Sequence, residues 1–322
     1  MARDFAVGVD LGGTKILTGV GDRAGNILSE MTMATEPEEG LDAVVARLVR
    51  SIEGAIVEAG ISQEQVDGVA IATPGPLNIE EGIIYQAPNL GWENVNLVEL
   101  MSDRLPLPIQ LENDANAAAL GANRFGAGKG SKDMIYITVS TGIGGGLVLD
   151  GSIYHGVGDG AGEVGHMTLD PQGPRCNCGK RGCWEAIASG TALLRQVEEG
   201  LNEGVETILR AWMAAGKELD GALIAEAARK KDRFALGLYR RQGFHLGLGL
   251  ANLINLLNPE VIVIGGGVTN AWDLFAETME EALKEYSLAA LLSQVEIKKS
   301  LLGSRVGLLG ALAVAWAQAN DR

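Results

Sequence analysis

Basic residues are scarce in this chain of 322 residues: 26 Lys and Arg stand against 41 Asp and Glu, a formal net charge of −15. Nucleic-acid binding draws on clustered cations that neutralise phosphates, so this imbalance argues against a DNA or RNA partner. It does not argue against a small phosphorylated ligand, because backbone amides and a bound cation can hold phosphate without side-chain charge. Long apolar runs are missing too. Residues 246–268 are interrupted by Asn252, Asn255, Asn258, Pro259 and Glu260, and 306–317 fall short of the roughly 20 residues that cross a bilayer. Both read as buried elements, and no membrane partner is expected. The opening MARDFAVGVDLGGTK has a brief apolar run, contains Asp10 and is followed by no small-residue cleavage site, so it does not read as a signal peptide. With 47% hydrophobic and 21% charged residues the composition is that of a globular protein, long enough for two domains or one large one.

Cysteine is absent everywhere except in RCNCGKRGCWEAI (175–187), which holds Cys176, Cys178 and Cys183. An odd count with no disulfide framework and no export signal points to the cytoplasm. The spacing Cys-x-Cys is tighter than a C-x-x-C redox pair, and a nucleophilic cysteine needs one thiol with a base rather than three together. His166 lies ten residues upstream in GEVGHMTLD. Together the four form a Cys3His set, the ligand count of a closed tetrahedral zinc site, which predicts a structural metal. The competing reading is three buried thiols acting as small hydrophobes. Gly179 and Gly182 favour the metal, since they would let the backbone wrap a small ion.

The familiar nucleotide motifs are also absent. GVDLGGTK lacks the Walker spacing, TGIGGG has Leu147 where G-x-G-x-x-G needs its last glycine, and both are followed by a strand rather than a helix. What is present is a pattern used twice. Residues 5–10 and 16–20 read as strands joined by the turn DLGGT, with a third strand from Ile27. Residues 134–139 and 147–150 read as strands joined by STGIGGG, followed by the turn DGS. The repeat is one of architecture and suggests two related halves. Each turn has a hydroxyl beside it, Thr14 in one and Ser140 and Thr141 in the other, and bared glycine N–H groups let a phosphate approach closely. Ligand-free hairpins are the alternative. Residues 261–264 form an apolar run suited to a doubly buried strand, then Gly265, Gly266 and Gly267, then a helix from about Ala271.

The stretches VDLGGTK, ENDANAAALGA, STGIGGG, GEVGH followed by CNCGKRGCWE, and IGGGV occur here in the order and spacing of the ROK sugar kinases, and the chain resembles the bacterial ROK glucokinases most closely. The resemblance runs from Val9 to beyond Gly267. It implies an α/β, actin-like (ribonuclease H-type) duplicated fold, two domains closing over a cleft, with a zinc knuckle. The small domain would be 1–118, completed by a C-terminal helix over about 305–322, and the large domain 119–304. The family also holds repressors with an extra helix-turn-helix domain; a first glycine turn at Asp10 leaves no room for one here.

The resemblance further implies ATP-dependent phosphorylation of glucose at the 6-hydroxyl. Taken alone, Asp114 at the strand-to-helix junction of LENDANAAALGANRFG reads as a helix N-cap; the resemblance makes it the general base. Asn113, Gly75, Asn89, Glu163, His166 and Glu185 would contact the sugar, His166 binding zinc through one ring nitrogen and a hydroxyl through the other. The bland alternative for Glu163 and Glu185 is a pair of solvated acids. Gly12, Gly13, Thr14 and Lys15, with Thr141, Gly142 and Gly144, would hold the ATP phosphates, and Asp10 would orient Mg²⁺ through water. Gly265, Gly266 and Gly267 would lie against the adenosine. Family members are often homodimers or homotetramers. A kinase for N-acetylmannosamine or N-acetylglucosamine, a polyphosphate donor, and a non-catalytic sugar sensor are the other readings.

Overall fold

The computed structural model describes residues 3–317. Two five-stranded sheets carry the expected repetition. In the first, the strands are β1 (Phe5–Leu11), β2 (Lys15–Asp22), β3 (Ile27–Ala34), β4 (Val66–Thr73) and β5 (Ile109–Asn113), in the order β3-β2-β1-β4-β5. In the second they are β6 (Met134–Val139), β7 (Ile143–Leu149), β8 (Ser152–Ile153), β9 (Val261–Gly265) and β10 (Glu296–Lys299), in the order β8-β7-β6-β9-β10. Numbered along the chain, each sheet is 3-2-1-4-5. β1–β2–β3 are antiparallel while β1–β4–β5 are parallel. β7–β8 is antiparallel and β9–β10 parallel, as the duplication requires.

The helices follow from their patterns. In α1 (Leu41–Glu58) Val44, Val45, Leu48 and Ile52 are buried on one stripe and pack with Val7, Val9, Ile16 and Val20 of the sheet. The others used below are α2 (Asp114–Phe125), α3 (Gly190–Asn202), α4 (Gly221–Arg229), α5 (Arg233–Leu257), α6 (Trp272–Tyr286) and α7 (Val306–Ala317). In α7 every residue from Leu308 to Trp316 is buried, which explains an apolar run too short for a bilayer. Among the described residues no helix is long and apolar enough to cross a membrane.

The chain divides into two compact units. The first holds the described residues up to 136, together with 146–162 and those from 300 on; the second holds 137–145 and 163–299. The change of unit does not fall at 118/119, because residue 118 lies inside α2 and α2 packs against α7 within the first unit. A Cβ on Gly121 would stand 2.7 Å from the Gly310 amide, so the two helices touch backbone to backbone. A C-terminal helix covers Val306–Ala317; positions 318–322 of the expected span, like residues 1 and 2, lie outside the described residues.

One boundary needs correcting. The glycines of STGIGGG are not all turn: β7 starts at Ile143, so Gly144 is a strand residue, and the turn is Ser140–Gly142, closed by the Ser140 N–H donating to the Gly142 carbonyl at 2.9 Å. Packing is the reason for one of the strand's glycines. A side chain at Gly146 would meet the Ala115 carbonyl and Ala119 Cβ of α2, both at 2.6 Å.

Candidate active site

The cysteine stretch folds into a doubly bent loop. Leu169 N–H donates to the Gly182 carbonyl at 2.8 Å, Gly182 N–H to Pro174 at 2.8 Å, and Cys176 N–H to Lys180 at 2.9 Å. Gly182 has φ 69°, and a Cβ there would run into the Asp170 carbonyl, so only glycine lets the strands of the knuckle close. The donor atoms of His166, Cys176, Cys178 and Cys183 all lie within 4.8 Å of one another, and the cysteines are not disulfide-bonded. Cys178 and Cys183 sulfurs are 3.6 Å apart, and Cys176 Sγ is 3.7 Å from His166 Nδ1. A tetrahedron with Zn–S of about 2.3 Å and Zn–N of about 2.0 Å has edges of roughly 3.5–3.8 Å. The set therefore fits zinc. Burial pushes the Cys176 thiol up to about 12, so a thiolate at that position needs a cation beside it, whereas a backbone hydrogen bond from Lys180 lowers the Cys178 thiol.

His166 turns Nδ1 to the sulfurs and leaves Nε2 facing outward, 3.8 Å from Glu163 Oε2. Glu185 sits in the first turn of the short helix Trp184–Ala188, which Trp184 anchors by packing, fully buried, against Gly249 of α5. One Glu185 oxygen is 3.6 Å from Cys176 Sγ; the other accepts the Ile143 N–H at 3.1 Å and leaves no space for a side chain at Gly142. Glu185 thus ties the knuckle to the Ser140–Gly142 turn. A cavity of about 270 Å³ opens between them, lined by Thr141, Gly142, Arg175, Asn177 and Glu185.

On the other side of that turn lies an apolar cavity of about 350 Å³, lined by Thr141, Thr191, Leu194, Ala225, Tyr239 and Val268 among others. Its size and lining suit a nucleobase. Of the three glycines expected there, Gly267 lines it; Gly265 ends β9, and Gly266 packs against the Val139 carbonyl. The lining from α3, α4 and α5 was not legible in the sequence, because those positions read only as the apolar stripes of helices.

In the first unit the β1–β2 turn is braced: Gly12 N–H donates to the Lys15 carbonyl at 2.9 Å, Thr35 Oγ1 to the Gly12 carbonyl at 2.7 Å, and Thr35 N–H to Thr14 at 3.1 Å. Gly13 packs on Asn89, whose carbonyl would stand 2.9 Å from an added Cβ. Asp10 meets the first turn of α7 at Gly307, and burial raises its pKa against the lowering pull of Lys15. Gly75, after β4, has φ 110° and abuts the Gln86 carbonyl.

Asp114 opens α2 and is exposed, but the N-cap is Asn113, whose Oδ1 accepts from the Ala115 and Asn116 amides at 2.9 and 3.2 Å. Asp114 is therefore the first helical residue and not the cap that the sequence suggests. Its Oδ1 accepts the adjacent Ala115 N–H at 2.8 Å. Beside it is a pair the motifs did not reveal. Glu112, buried, accepts from Asn113 N–H at 2.9 Å and Asn116 Nδ2 at 3.1 Å, and its other oxygen pairs with His155 Nε2 at 2.9 Å. The hydrogen bond to Glu112 raises the His155 pKa against partial burial, with the charges of Glu112 and Asp159 adding to it.

The chain is similar to proteins of known kind along nearly its whole length. The model of the ROK family matches residues 6–318. The glucokinase of Halalkalibacterium halodurans is 37% identical over 315 residues, spanning 96% of this chain and 94% of the relative. The xylose repressor of Caldicellulosiruptor bescii is 32% identical over 308 residues, spanning 96% of this chain and 77% of the repressor. Among solved structures, the ROK glucokinase of Streptomyces griseus in complex with glucose and AMPPNP has a TM-score of 0.82 at 34% identity and covers 97% of this chain and 99% of its own. With its doubled 3-2-1-4-5 sheets and Cys3His knuckle, the chain belongs to the ROK family and has that family's actin-like fold.

Proposed function

We propose that the chain phosphorylates glucose at its 6-hydroxyl with ATP, using Asp114 as general base. The glucokinase relatives make the chain an ATP-dependent kinase of the hexokinase type. Asp114 takes the proton from the 6-hydroxyl as that oxygen attacks the γ-phosphorus and ADP departs. Gly75, Asn89, Asn113, Glu163, His166 and Glu185 hold the sugar, each carboxylate or amide matching a hydroxyl that both gives and takes a hydrogen bond. Because the Asn113 Oδ1 is engaged in capping, its sugar contact falls to Nδ2. Gly12, Gly13, Thr14 and Lys15 bind phosphate oxygens, as do Thr141, Gly142 and Gly144. The apolar cavity lined by Gly267 takes the adenine, with Gly265 and Gly266 in the strand end and turn that lead to it. Mg²⁺ arriving with ATP, oriented by Asp10 through water, would neutralise the phosphate charge. Zinc held by His166, Cys176, Cys178 and Cys183 would fix the loop and not the chemistry.

The observation that carries this reading is the outward His166 Nε2 next to Glu163 while Nδ1 faces the sulfurs, an arrangement suited to a metal on one side and a hydroxyl on the other. The match to a xylose repressor favours a second reading, a non-catalytic sugar sensor. ADP release separates the two. With Mg-ATP, glucose should give a rate well above N-acetylmannosamine, N-acetylglucosamine and fructose. A preference for an acetylated sugar would move the substrate and keep the mechanism, whereas sugar binding with no nucleotide binding would make the chain a sensor. Replacing ATP with polyphosphate in the same assay identifies the donor. A cytoplasmic location and a homodimer or homotetramer, read by light scattering, complete the proposal.

A further inference from the structure

The strongest unassigned feature is the chain of polar contacts that begins at His155. Glu112 is only 4% exposed, so its carboxylate needs partners, and each oxygen has its own. Oε1 holds the Asn113 N–H and Asn116 Nδ2, which lie on the two sides of Asp114 in sequence. Oε2 is held by His155 Nε2. Asn116 is buried and its Oδ1 has no hydrogen-bond partner, so the Glu112 carboxylate is what orients that side chain. Asn113 in turn caps the helix that Asp114 opens. On the far side, the His155 loop is pinned at both ends: the His155 carbonyl accepts the Ala161 N–H at 2.9 Å, and Asp159 Oδ2 accepts the Ile79 N–H at 2.9 Å. The charged groups acting on the imidazole are Glu112 from the end of β5 and Asp159 from the following turn.

We propose that His155 is a positioning residue for phosphoryl transfer: by donating Nε2–H to Glu112 it fixes the carboxylate that holds the Asn113 amide and the Asn116 side chain on either side of Asp114. The inference rests on the proposed role of Asp114 as base. A general base is effective only within hydrogen-bond reach of its proton, and displacements of an ångström are felt in the rate. Neither residue touches the reacting atoms. The bonds run His155–Glu112–Asn116 and Glu112–Asn113, so losing the first link leaves the Glu112 carboxylate held from the α2 side alone and loosens the start of that helix, while the phosphate turns and the apolar cavity keep their own contacts.

The test uses the full chain, with glucose and Mg-ATP saturating, and each variant assayed well below its own unfolding midpoint. H155F keeps the ring volume and removes the donor; H155Q restores a donor at similar reach. H155F should lower kcat about tenfold with KM for ATP within twofold, and H155Q should recover most of kcat. N116A, which cuts the same chain at its other end, should reproduce the fall in kcat and carries the test if H155F does not fold. A kcat within twofold of the parent in H155F or N116A would overturn the proposal. So would an H155Q variant as impaired as H155F, or a rise in KM for ATP that accompanies the loss. D114N run alongside keeps the two readings apart: near-normal turnover there removes the base itself, whereas an inactive D114N with a normal H155F removes only the positioning role.

Discussion

Stripping the metal should weaken sugar binding far more than nucleotide binding. The four donors enclose the span from His166 to Cys183, and Glu163 and Glu185 flank it directly. A cross-link closing a loop of about 15 residues removes roughly 3 kcal/mol of chain entropy. Without the metal, that ordering would have to be supplied by the sugar on binding, and at about 1.4 kcal/mol per tenfold this sets an upper bound near a hundredfold. Part of the order survives, because Leu169, Gly182 and Cys176 keep their backbone hydrogen bonds across the knuckle. The expected weakening is therefore about tenfold to a hundredfold in Kd for glucose. The apolar cavity draws its walls from α3, α4 and α5, so the Kd for ATP should change by no more than about threefold. The assay is calorimetric titration of each ligand into protein as purified, which should hold about one zinc per chain, and into protein dialysed against a strong chelator. Metal-free protein that remains folded and binds glucose with unchanged affinity would refute the reasoning, as would metal-free protein from the first purification.

Three further outcomes follow from particular contacts. Ala225→Phe places a ring in the apolar cavity and should raise KM for ATP at least tenfold while leaving the sugar Kd alone; equal effects on both would mean that the cavity is not the nucleobase site. The raised His155 pKa gives a stabilising contribution that is fully present below the unfolded value of about 6.5 and is lost as pH rises through the folded value. Urea midpoints of the parent should therefore fall between pH 6 and pH 9 by more than those of H155Q, and parallel profiles would contradict the assignment. D114N should keep its Kd for glucose and lose about a thousandfold in kcat, the usual range for removing a general base.

Much of the fold is readable in the chain because strands and helices with one environment have one pattern. β9 is buried on both faces and is apolar throughout, and the paired turns beside Thr14 and Thr141 mark two copies of one topology. The knuckle is readable because its four donors are close in sequence. What escapes is whatever depends on distant contacts. Gly144 lies in a strand that looks like a turn, and the reason for Gly146 in the same strand is an α2 helix some thirty residues earlier. Asn113 and Asp114 are both good cap residues, and only geometry chooses Asn113. Glu112 and His155 are 43 positions apart, with no motif to connect them. The chain also passes between its two compact units several times, so no single composition boundary marks them.

Glucose 6-phosphate is the product by which a glucose kinase with Asp114 as base is recognised. Purified protein is given glucose and Mg-ATP, and glucose 6-phosphate and ADP are measured together for the parent and for D114N. The parent should give equal amounts of the two products and D114N about a thousandfold less, with glucose still bound. Absence of both products from folded, zinc-loaded parent protein, or near-parental turnover by D114N, would contradict this assignment.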